Sequence, residues 1–261
     1  MHRVPTMSEL VEYLRSALTG TGKDVATYEW MSDEETAAIE QTDDSRFTVR
    51  PWLEQQDDIH PSVPARFGER SLVMRGLLVA GTDPETGEPA LVPSDELRFL
   101  ADTRRLGVAY ILARAIERGR RSARTNILQE QIGSYEEDID DEGIHLFSAC
   151  TYRATVSRLA EWALPNADRG GVQMRTRIST DRWQRWIINE LGVDVRAVEL
   201  DLFFPGADGE VPPQTWLLAQ GLETAILAER EGESLQITSM TRTRLEELLA
   251  ERIADSLGVQ V

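Results

Sequence analysis

The chain has 261 residues, of which 41% are hydrophobic and 28% are charged, a balance typical of a soluble globular protein and not of a disordered one. Its formal net charge of −17 at pH 7 argues against wholesale attraction to nucleic acid or to anionic lipid. Cys150 is the only cysteine, so neither an intramolecular disulfide nor a cysteine-based zinc cage can form.

The beginning of the chain predicts no export or membrane segment. "MHRVPTMSELVEYL" lacks an apolar core followed by a small-residue cleavage site. No apolar run anywhere approaches the roughly 20 residues that cross a bilayer. We therefore expect a cytoplasmic protein with no membrane association.

The first forty residues predict two helices. Residues 7–18 place their leucines on one face at helical spacing and are followed by a glycine. Ser32 and Glu35 have the spacing of a capping box, in which each side chain bonds the backbone N–H of the other residue. This box predicts a short acidic helix that runs through Ile39.

The next stretch predicts a helix, a hairpin and a second helix. Pro61 and Pro64 open a helix that ends at Gly76, where a left-handed C-cap is expected. "LLVA" and "EPALV" then flank the turn "GTDPETG", which predicts a hairpin. Pro93 and Ser94 begin the following helix.

Beyond Leu106 the apolar spacing becomes that of strands. "LGVAYILARAI", "ARTNILQEQI" and "GIHLFSACTY" predict three strands, with Cys150 as a small buried apolar residue. The acidic stretch "SYEEDIDDEG" between the last two strands predicts a solvated loop. A helix then follows and stops at Pro165.

The second half repeats this alternation. Ser179 or Thr180 caps a helix with Trp183, Trp186 and Ile187 on one face. "DVRAVELDLFF", "QTWLLAQ", "ETAILAERE" and "SLQITSMT" then predict strands. The last helix is expected over residues 242–257.

The two halves resemble each other in sequence. Three pairs of segments occur in the same order: "YILA" with "WLLA", "TNILQE" with "TAILAE", and "TYRATVSRLAEW" with "TRTRLEELLAER". The predicted fold class is therefore α+β, with two pseudo-symmetric halves at residues 1–165 and 166–261. Each half is an antiparallel strand meander followed by a helix, with flanking helical bundles.

No catalytic, metal or cofactor motif is complete. "GTGKD" lacks the glycine spacing and the Ser or Thr of a phosphate loop, and "GxSxG" is absent. His2, His60 and His145 are scattered along the chain. The acidic clusters at 33–35, 57–58 and 136–142 are typical of solvated faces. We therefore expect a protein that is not an enzyme and needs no cofactor or metal.

An arginine-rich segment leaves a DNA-binding alternative. "RGRRSAR" lies at the end of a predicted hairpin, and the helix and hairpin before it have the order of a winged helix. The alternative is a transcriptional regulator that uses the arginine-rich hairpin at 114–124. The tip of the candidate wing, "TDPETGE", is acidic and would repel phosphate. We therefore favour a solvated hairpin whose charge balances the acidic residues at 136–142.

Aromatic side chains concentrate in the second half. Trp183 and Trp186 share a helical face with Ile187, which favours a place in the core. Phe203 and Phe204 are adjacent in a strand and point to opposite faces. Unless both faces are buried, one of this pair is expected to be exposed or covered by a partner.

The order of elements from about Pro61 onward resembles the EspG family, which are cytosolic chaperones of the actinobacterial type VII (ESX) secretion systems. "RSLVMRGLLV" precedes a turn and a helix, and two meanders that each end in a helix follow it. The local match is clearest at a few positions of that motif: Arg70, Ser71, Arg75, Gly76 and Leu77.

The resemblance implies a function in stoichiometric binding. Family members clasp the helical tip of PE–PPE secretion substrates and keep it soluble for export, so a helical PE/PPE-like protein is the expected partner. An apolar groove would cover such a tip. Aromatic density places this groove among five residues of the second half: Trp183, Ile187, Phe203, Phe204 and Trp216. A monomer or a weak dimer is expected, with nucleic acid disfavoured as a partner.

Overall fold

The computed structural model describes most of the chain. The described residues are 12, 14–18, 24–39, 49–56, 59–60, 62–83, 86–105, 107–130, 133–167, 174–204, 213–259 and 261. Residues 12 and 14–18 are helical, in agreement with the helix predicted over 7–18. The rest of that prediction lies outside the described residues.

The strands form one long antiparallel sheet and one separate hairpin. Their bounds are β1 Val25–Ser32, β2 Leu78–Thr82, β3 Pro89–Pro93, β4 Ala109–Glu117, β5 Arg120–Gln129, β6 Gly133–Ile139, β7 Ile144–Cys150, β8 Arg175–Ser179, β9 Arg196–Phe203, β10 Gln214–Gln220, β11 Ala225–Glu231 and β12 Ser234–Met240. The main sheet has ten described strands in the order β1-β7-β6-β5-β4-β9-β10-β11-β12-β8. β2 pairs only with β3 in the described part of the chain.

Besides the helical residues 12 and 14–18, six helices lie around this sheet in the part of the chain that the structure describes. Their bounds are α1 Asp33–Ile39, α2 Ser62–Met74, α3 Asp95–Arg105, α4 Tyr152–Ala163, α5 Trp183–Leu191 and α6 Arg242–Leu257. Short 3₁₀ turns occur at Leu53–Gln55 and Thr180–Arg182. Helices and a large antiparallel sheet together confirm the predicted α+β class.

Several of the predicted helix ends are confirmed atom by atom. The N–H of Ser32 donates to the Glu35 carboxylate at 3.1 Å, and the N–H of Glu35 donates to Ser32 Oγ at 3.3 Å, which is the capping box of α1. Gly76 follows α2 with φ of 73°, as a left-handed C-cap requires. Ser94 caps α3 by accepting from the N–H of Leu97 at 3.2 Å.

The prediction of a solvated acidic loop at 136–142 was wrong at its start. "GSYEEDI" is strand β6, and both Glu136 and Glu137 are buried in it. Their carboxylates meet basic side chains that come from distant parts of the chain, so no local pattern could reveal the strand. The edge strands β1 and β8 also had no prediction.

Three apolar cores hold the layers together. On one face of the sheet, here called the helix-pair face, α4 and α6 pack over β4 and β9–β11. The opposite face, here called the layered face, carries two separate layers. One layer comes from residues 14–18, α2 and α3 over β5–β7, and the other from α5 over β10–β12.

The missed strand β6 changes how the internal repeat aligns. α4 and α6 each follow a meander of four strands, β4–β7 and β9–β12. Counted back from these helices, "YILA" lies in the fourth strand and "WLLA" in the third, and the "TNILQE" and "TAILAE" segments are likewise one strand out of step. The helix segments keep their alignment, since Thr151 and Thr241 are both N-caps.

Candidate interaction surface on the layered face

A strip of the layered face lies between the two helical layers. Side chains of β4 and β9 alternate, and those on the helix-pair face belong to its core. The side chains that alternate with them therefore point to the layered face. On that face, β4, β9 and the start of β10 lie between the two helical layers. We call the partly or fully exposed side chains there the central strip: Arg114, Ile116, Glu199, Phe203, Thr215 and Leu217.

Charged side chains in the central strip are paired with one another. Arg114 Nη2 donates to Glu199 at 2.7 Å and also to Asp201, which is buried beneath the strip. Thr215 Oγ1 donates to the other oxygen of Asp201 at 2.6 Å. These bonds hold the floor of the strip in one arrangement and offset part of its negative charge, since one guanidinium meets two carboxylates. Apolar side chains beside them remain partly open, and Ile116 is 53% exposed.

A surface cavity of about 830 Å³ continues the central strip toward α5. Trp183, Glu199, Thr215 and Leu217 line it. Trp183 stacks on Trp186, with ring centroids 6.3 Å apart and an angle of 9° between the rings. The surface therefore offers both an aromatic wall and hydrogen-bonding groups to a partner.

The five residues predicted for partner binding do not form one groove. Trp183 and Phe203 lie on the layered face, next to or within the central strip. Ile187 lies on the same face but is 6% exposed, because it is buried between α5 and the sheet. Trp216 is 4% exposed and belongs to the core of the helix-pair face, although it also borders the cavity. Phe204 packs against that same core, with Arg252 over its ring.

Of the strip residues, sequence reasoning selected only Phe203 and missed those of β4, those of β10 and Glu199 of β9. Arg114 was considered only as part of an arginine cluster, and Glu199 was not considered. The available signal was the alternation of Ala113 and Ala115 with the larger side chains of Arg114 and Ile116, which is typical of a strand whose two faces differ. The position of the strip depends on which strands the helices leave uncovered, and that is a tertiary property.

A buried ionic network fixes the layer over the first half. His145 donates from Nε2 to Asp33 and from Nδ1 to Glu137, both at 2.6 Å, when the ring is protonated. Arg104 reaches the same Glu137 oxygen at 3.1 Å. Asp33 also accepts from the N–H groups of Trp52 and Leu53 at 3.0 and 2.8 Å. Both ring nitrogens are thus engaged, so this network is structural.

Protonation states in this network follow from its geometry. Burial lowers the pKa of His145, but the hydrogen bonds to Asp33 and Glu137 outweigh burial and raise the pKa above its ordinary value. Burial raises the pKa of Glu137, yet Arg104 and His145 together leave that pKa below its ordinary value. The network is therefore an imidazolium held between two carboxylates.

The "RSLVMRGLLV" motif has an internal structural role. Ser71 Oγ donates to Glu35 at 2.7 Å, and Arg75 reaches the other Glu35 oxygen at 2.6 Å. Arg75 also pairs with Glu29 at 2.7 Å and stacks on Trp30 at 4.5 Å. Since Glu35 is part of the capping box of α1, the motif joins α1, α2 and β1.

The DNA-binding alternative finds no support in the arginine-rich hairpin. Arg118 pairs with Asp194 at 3.4 Å and Arg120 with Asp141 at 3.6 Å. Arg124 is buried and pairs with Asp138 at 2.6 Å. With Arg114 also paired, most of the cluster is already neutralised by carboxylates and has little charge left for phosphate.

The described residues hold neither a metal-binding cluster nor a membrane-spanning helix. No group of three or more His, Cys, Asp and Glu side chains in that part of the chain could hold a metal ion. No helix there is long and apolar enough to cross a membrane.

Comparisons with known proteins identify the fold. No family model matches the chain, and no curated protein matches its sequence significantly. The structure is similar to that of the Mycobacterium tuberculosis type VII secretion system chaperone EspG5, solved in complex with a PE25–PPE41 dimer. The match has a TM-score of 0.54 and 9% sequence identity, and it covers 88% of this chain and 96% of that chain. The chain therefore has the fold of a type VII secretion chaperone.

Proposed function

We propose that this protein is a cytoplasmic chaperone that binds the helical tip of PE/PPE-like secretion substrates and keeps it soluble for type VII export. The observation that carries the proposal is the fold shared with EspG5 over 88% of the chain. That chaperone was solved with a PE25–PPE41 dimer bound to it, and we extend this kind of partner to the present chain.

We place the contact on the central strip. A helical tip with exposed apolar side chains aggregates unless a partner covers it. Ile116, Phe203 and Leu217 offer apolar surface between two helical layers, and the Arg114–Glu199 pair offers polar contacts at the same place. Binding of this kind needs no bond making, so we propose a protein that is not an enzyme and uses no cofactor.

A matched pair of variants tests this function. Ile116 and Ile188 are 53% and 54% exposed, but only Ile116 lies on the central strip. The full chain is co-purified with PE–PPE heterodimers, and complexes are measured by light scattering after gel filtration. We expect a 1:1 complex that Ile116→Asp weakens at least about tenfold, because a charge would be buried in an apolar contact. Ile188→Asp should leave it unchanged.

The results of this experiment test the proposed function and the proposed binding surface separately. If no heterodimer of this class binds, the chaperone proposal is overturned. If binding is equal in both variants and both melt like the unmodified protein, the partner binds elsewhere and only the central strip is rejected.

We also propose that residues 1–165 and 166–261 are pseudo-symmetric halves. The strand order supports this, because it runs outward from the centre as β4-β5-β6-β7-β1 on one side and β9-β10-β11-β12-β8 on the other. In both halves the helix follows the fourth strand of the meander and begins at a threonine cap.

A further inference from the structure

A second surface of the molecule lies at the outer edge of the sheet. β8 is the last strand in the sheet order, and no described strand pairs with its outer side. An open edge of this kind presents backbone groups to which another strand can bond. β8 is far from the central strip in the sheet order, with β11 and β12 between them.

The hydrogen bonds around β8 show which backbone groups face outward. Met174 O accepts from Ser239 N at 3.0 Å, and Thr180 N donates to Glu233 O at 3.1 Å. Bonding alternates along an antiparallel pair, so the even-numbered residues of β8 bond to β12. The N–H and C=O groups of Arg175 and Arg177 and the N–H of Ser179 therefore point away from the sheet, whereas the C=O of Ser179 begins the 3₁₀ turn at Thr180–Arg182.

Helix α5 and β8 together form a groove along this edge. A cavity of about 1160 Å³ runs there, and Ile178, Trp186 and Ile188 supply its apolar wall. Ile188 is 54% exposed, whereas Ile187 beside it is buried against the sheet. The apolar wall is thus exposed to a ligand and is separate from the apolar core that lies buried beneath α5.

The groove is basic although the chain is acidic. Arg177, Arg182 and Arg185 line it together with one carboxylate, Asp181. Arg177 pairs with Glu231 at 3.2 Å, with both side chains more than half exposed. No ion pair is recorded for Arg182 or Arg185 with any described residue. The groove therefore carries a local excess of positive charge in a protein whose net charge is −17.

We propose that this edge groove binds an extended acidic segment of a partner protein, which adds as a further strand beside β8. The outward backbone groups of Arg175, Arg177 and Ser179 would bond the added strand. Every second side chain of the added strand would face α5. Carboxylates at two of these positions would meet Arg182 and Arg185, and an apolar side chain at the same-facing position between them would contact Trp186 or Ile188. The site goes beyond the proposed chaperone function, and both surfaces can be occupied together.

Other occupants fit the groove less well. A second copy of this chain would pair β8 with β8 and would bring Arg175 and Arg177 of each copy close together, which is unfavourable. Nucleic acid has no peptide N–H and C=O ladder to bond the outward groups, and the total charge opposes it.

Ser179 allows the edge to be blocked with little disturbance of the sheet. Its φ is −75°, which the proline ring accepts. Its N–H points outward, so Ser179→Pro removes a donor for the added strand and no bond to β12. Ser179→Ala is the matched control, because it also loses the hydroxyl bond to Asp181 but keeps the N–H.

Fluorescence anisotropy tests the proposal with the full chain. The probe is a short labelled peptide with Glu, Val and Glu at successive positions of one strand face and Ser between them, so that acidic and apolar side chains face α5 together. It is compared with the same peptide carrying Lys for Glu and with one carrying a central Pro. We expect only the acidic peptide to bind. Ser179→Pro and the double variant Arg182→Glu/Arg185→Glu should each weaken binding at least about tenfold, and Ser179→Ala should change it less than about twofold.

Three results would overturn the proposal. One is no binding of the acidic peptide; another is equal binding of the Lys peptide. The third is a concentration-dependent dimer of the unmodified protein that Ser179→Pro abolishes while no peptide binds, which would assign the edge to a second copy. Melting curves check that the variants are folded. If Ser179→Pro does not fold, the arginine double variant tests the proposal in its place.

Discussion

The two layers on the layered face cover the same sheet but are held by different forces. Over the first half, the apolar contacts of α2 and α3 are joined by the buried network of Asp33, His145 and Glu137. Over the second half, α5 is held by the apolar core around Ile187. The Arg177–Glu231 ion pair of that half lies at the surface, with both side chains more than half exposed.

The kind of contact in each layer determines which changes destabilise it. Buried charges attract strongly only while every partner is present, since a lone buried charge is costly. Apolar contacts are less specific and lose stability in proportion to the volume removed. The first layer should therefore be sensitive to single substitutions and to pH, and the second layer to side-chain size.

The largest effect is expected when His145 is removed. His145→Ala leaves Asp33 and Glu137 buried with their common partner gone, which should lower the free energy of unfolding by roughly 3–5 kcal/mol. His60→Ala is the control, because His60 is exposed and its side chain bonds only Ser62 in the described part of the chain. Urea unfolding measures both variants. A loss for His145→Ala no larger than that for His60→Ala would contradict the structural role of the network.

A smaller loss is expected from the apolar layer. Ile187→Ala removes a buried side chain between α5 and the sheet and should cost about 2–4 kcal/mol. Ile188→Ala is the matched control next to it, since Ile188 is 54% exposed and should change stability by less than about 0.5 kcal/mol. If both variants lose the same free energy of unfolding in urea, the side chain of Ile187 is not part of a core between α5 and the sheet.

Local patterns predicted the helices and most strands because they depend on spacing and caps within a few residues. The capping box of Ser32 and Glu35 and the C-cap at Gly76 are of this kind. β6 was missed because the adjacent acidic residues Glu136 and Glu137 are typical of a solvated loop. Their basic partners include His145, Arg158 and Arg104, and only the folded sheet brings these together.

The site was predicted less well than the fold for the same reason. Aromatic density identified Trp183 and Phe203, which lie at the layered face. It also selected Trp216 and Ile187, which are core residues. Density along the chain cannot distinguish a buried aromatic residue from an exposed one. That distinction depends on where α4, α5 and α6 pack, which no local pattern shows.

Changing pH should affect the unmodified protein through His145. Its pKa is raised in the folded state, so its contribution to stability is fully present below the unfolded value of about 6.5 and is lost as pH rises through the folded value. Glu137 has a lowered pKa and acts in the opposite direction at acid pH. Urea unfolding between about pH 5.5 and pH 8 should show stability falling with pH.

His145→Gln is the control for this pH dependence. The glutamine does not titrate, so its stability should stay level over the range in which the unmodified protein weakens. A parallel fall in both proteins would assign the pH dependence to other groups and would leave His145 neutral in the fold. Ile187→Ala should keep the pH dependence of the unmodified protein, because the second layer holds no charge in its core.

The smallest loss of stability is expected when one of the two threonine caps is removed. Thr151 Oγ1 accepts from the N–H of Ala154 at 3.2 Å, and Thr241 Oγ1 accepts from the N–H of Arg244 at 3.1 Å. Thr→Ala at either position should cost about 1 kcal/mol in urea unfolding, and Thr→Ser should restore most of it because serine keeps the acceptor. Similar losses are expected if α4 and α6 are equivalent helices of pseudo-symmetric halves. A much larger loss at Thr151 would show that its bonds to Asp24 and Thr155 also stabilise the protein. Such a result would count against the equivalence of α4 and α6.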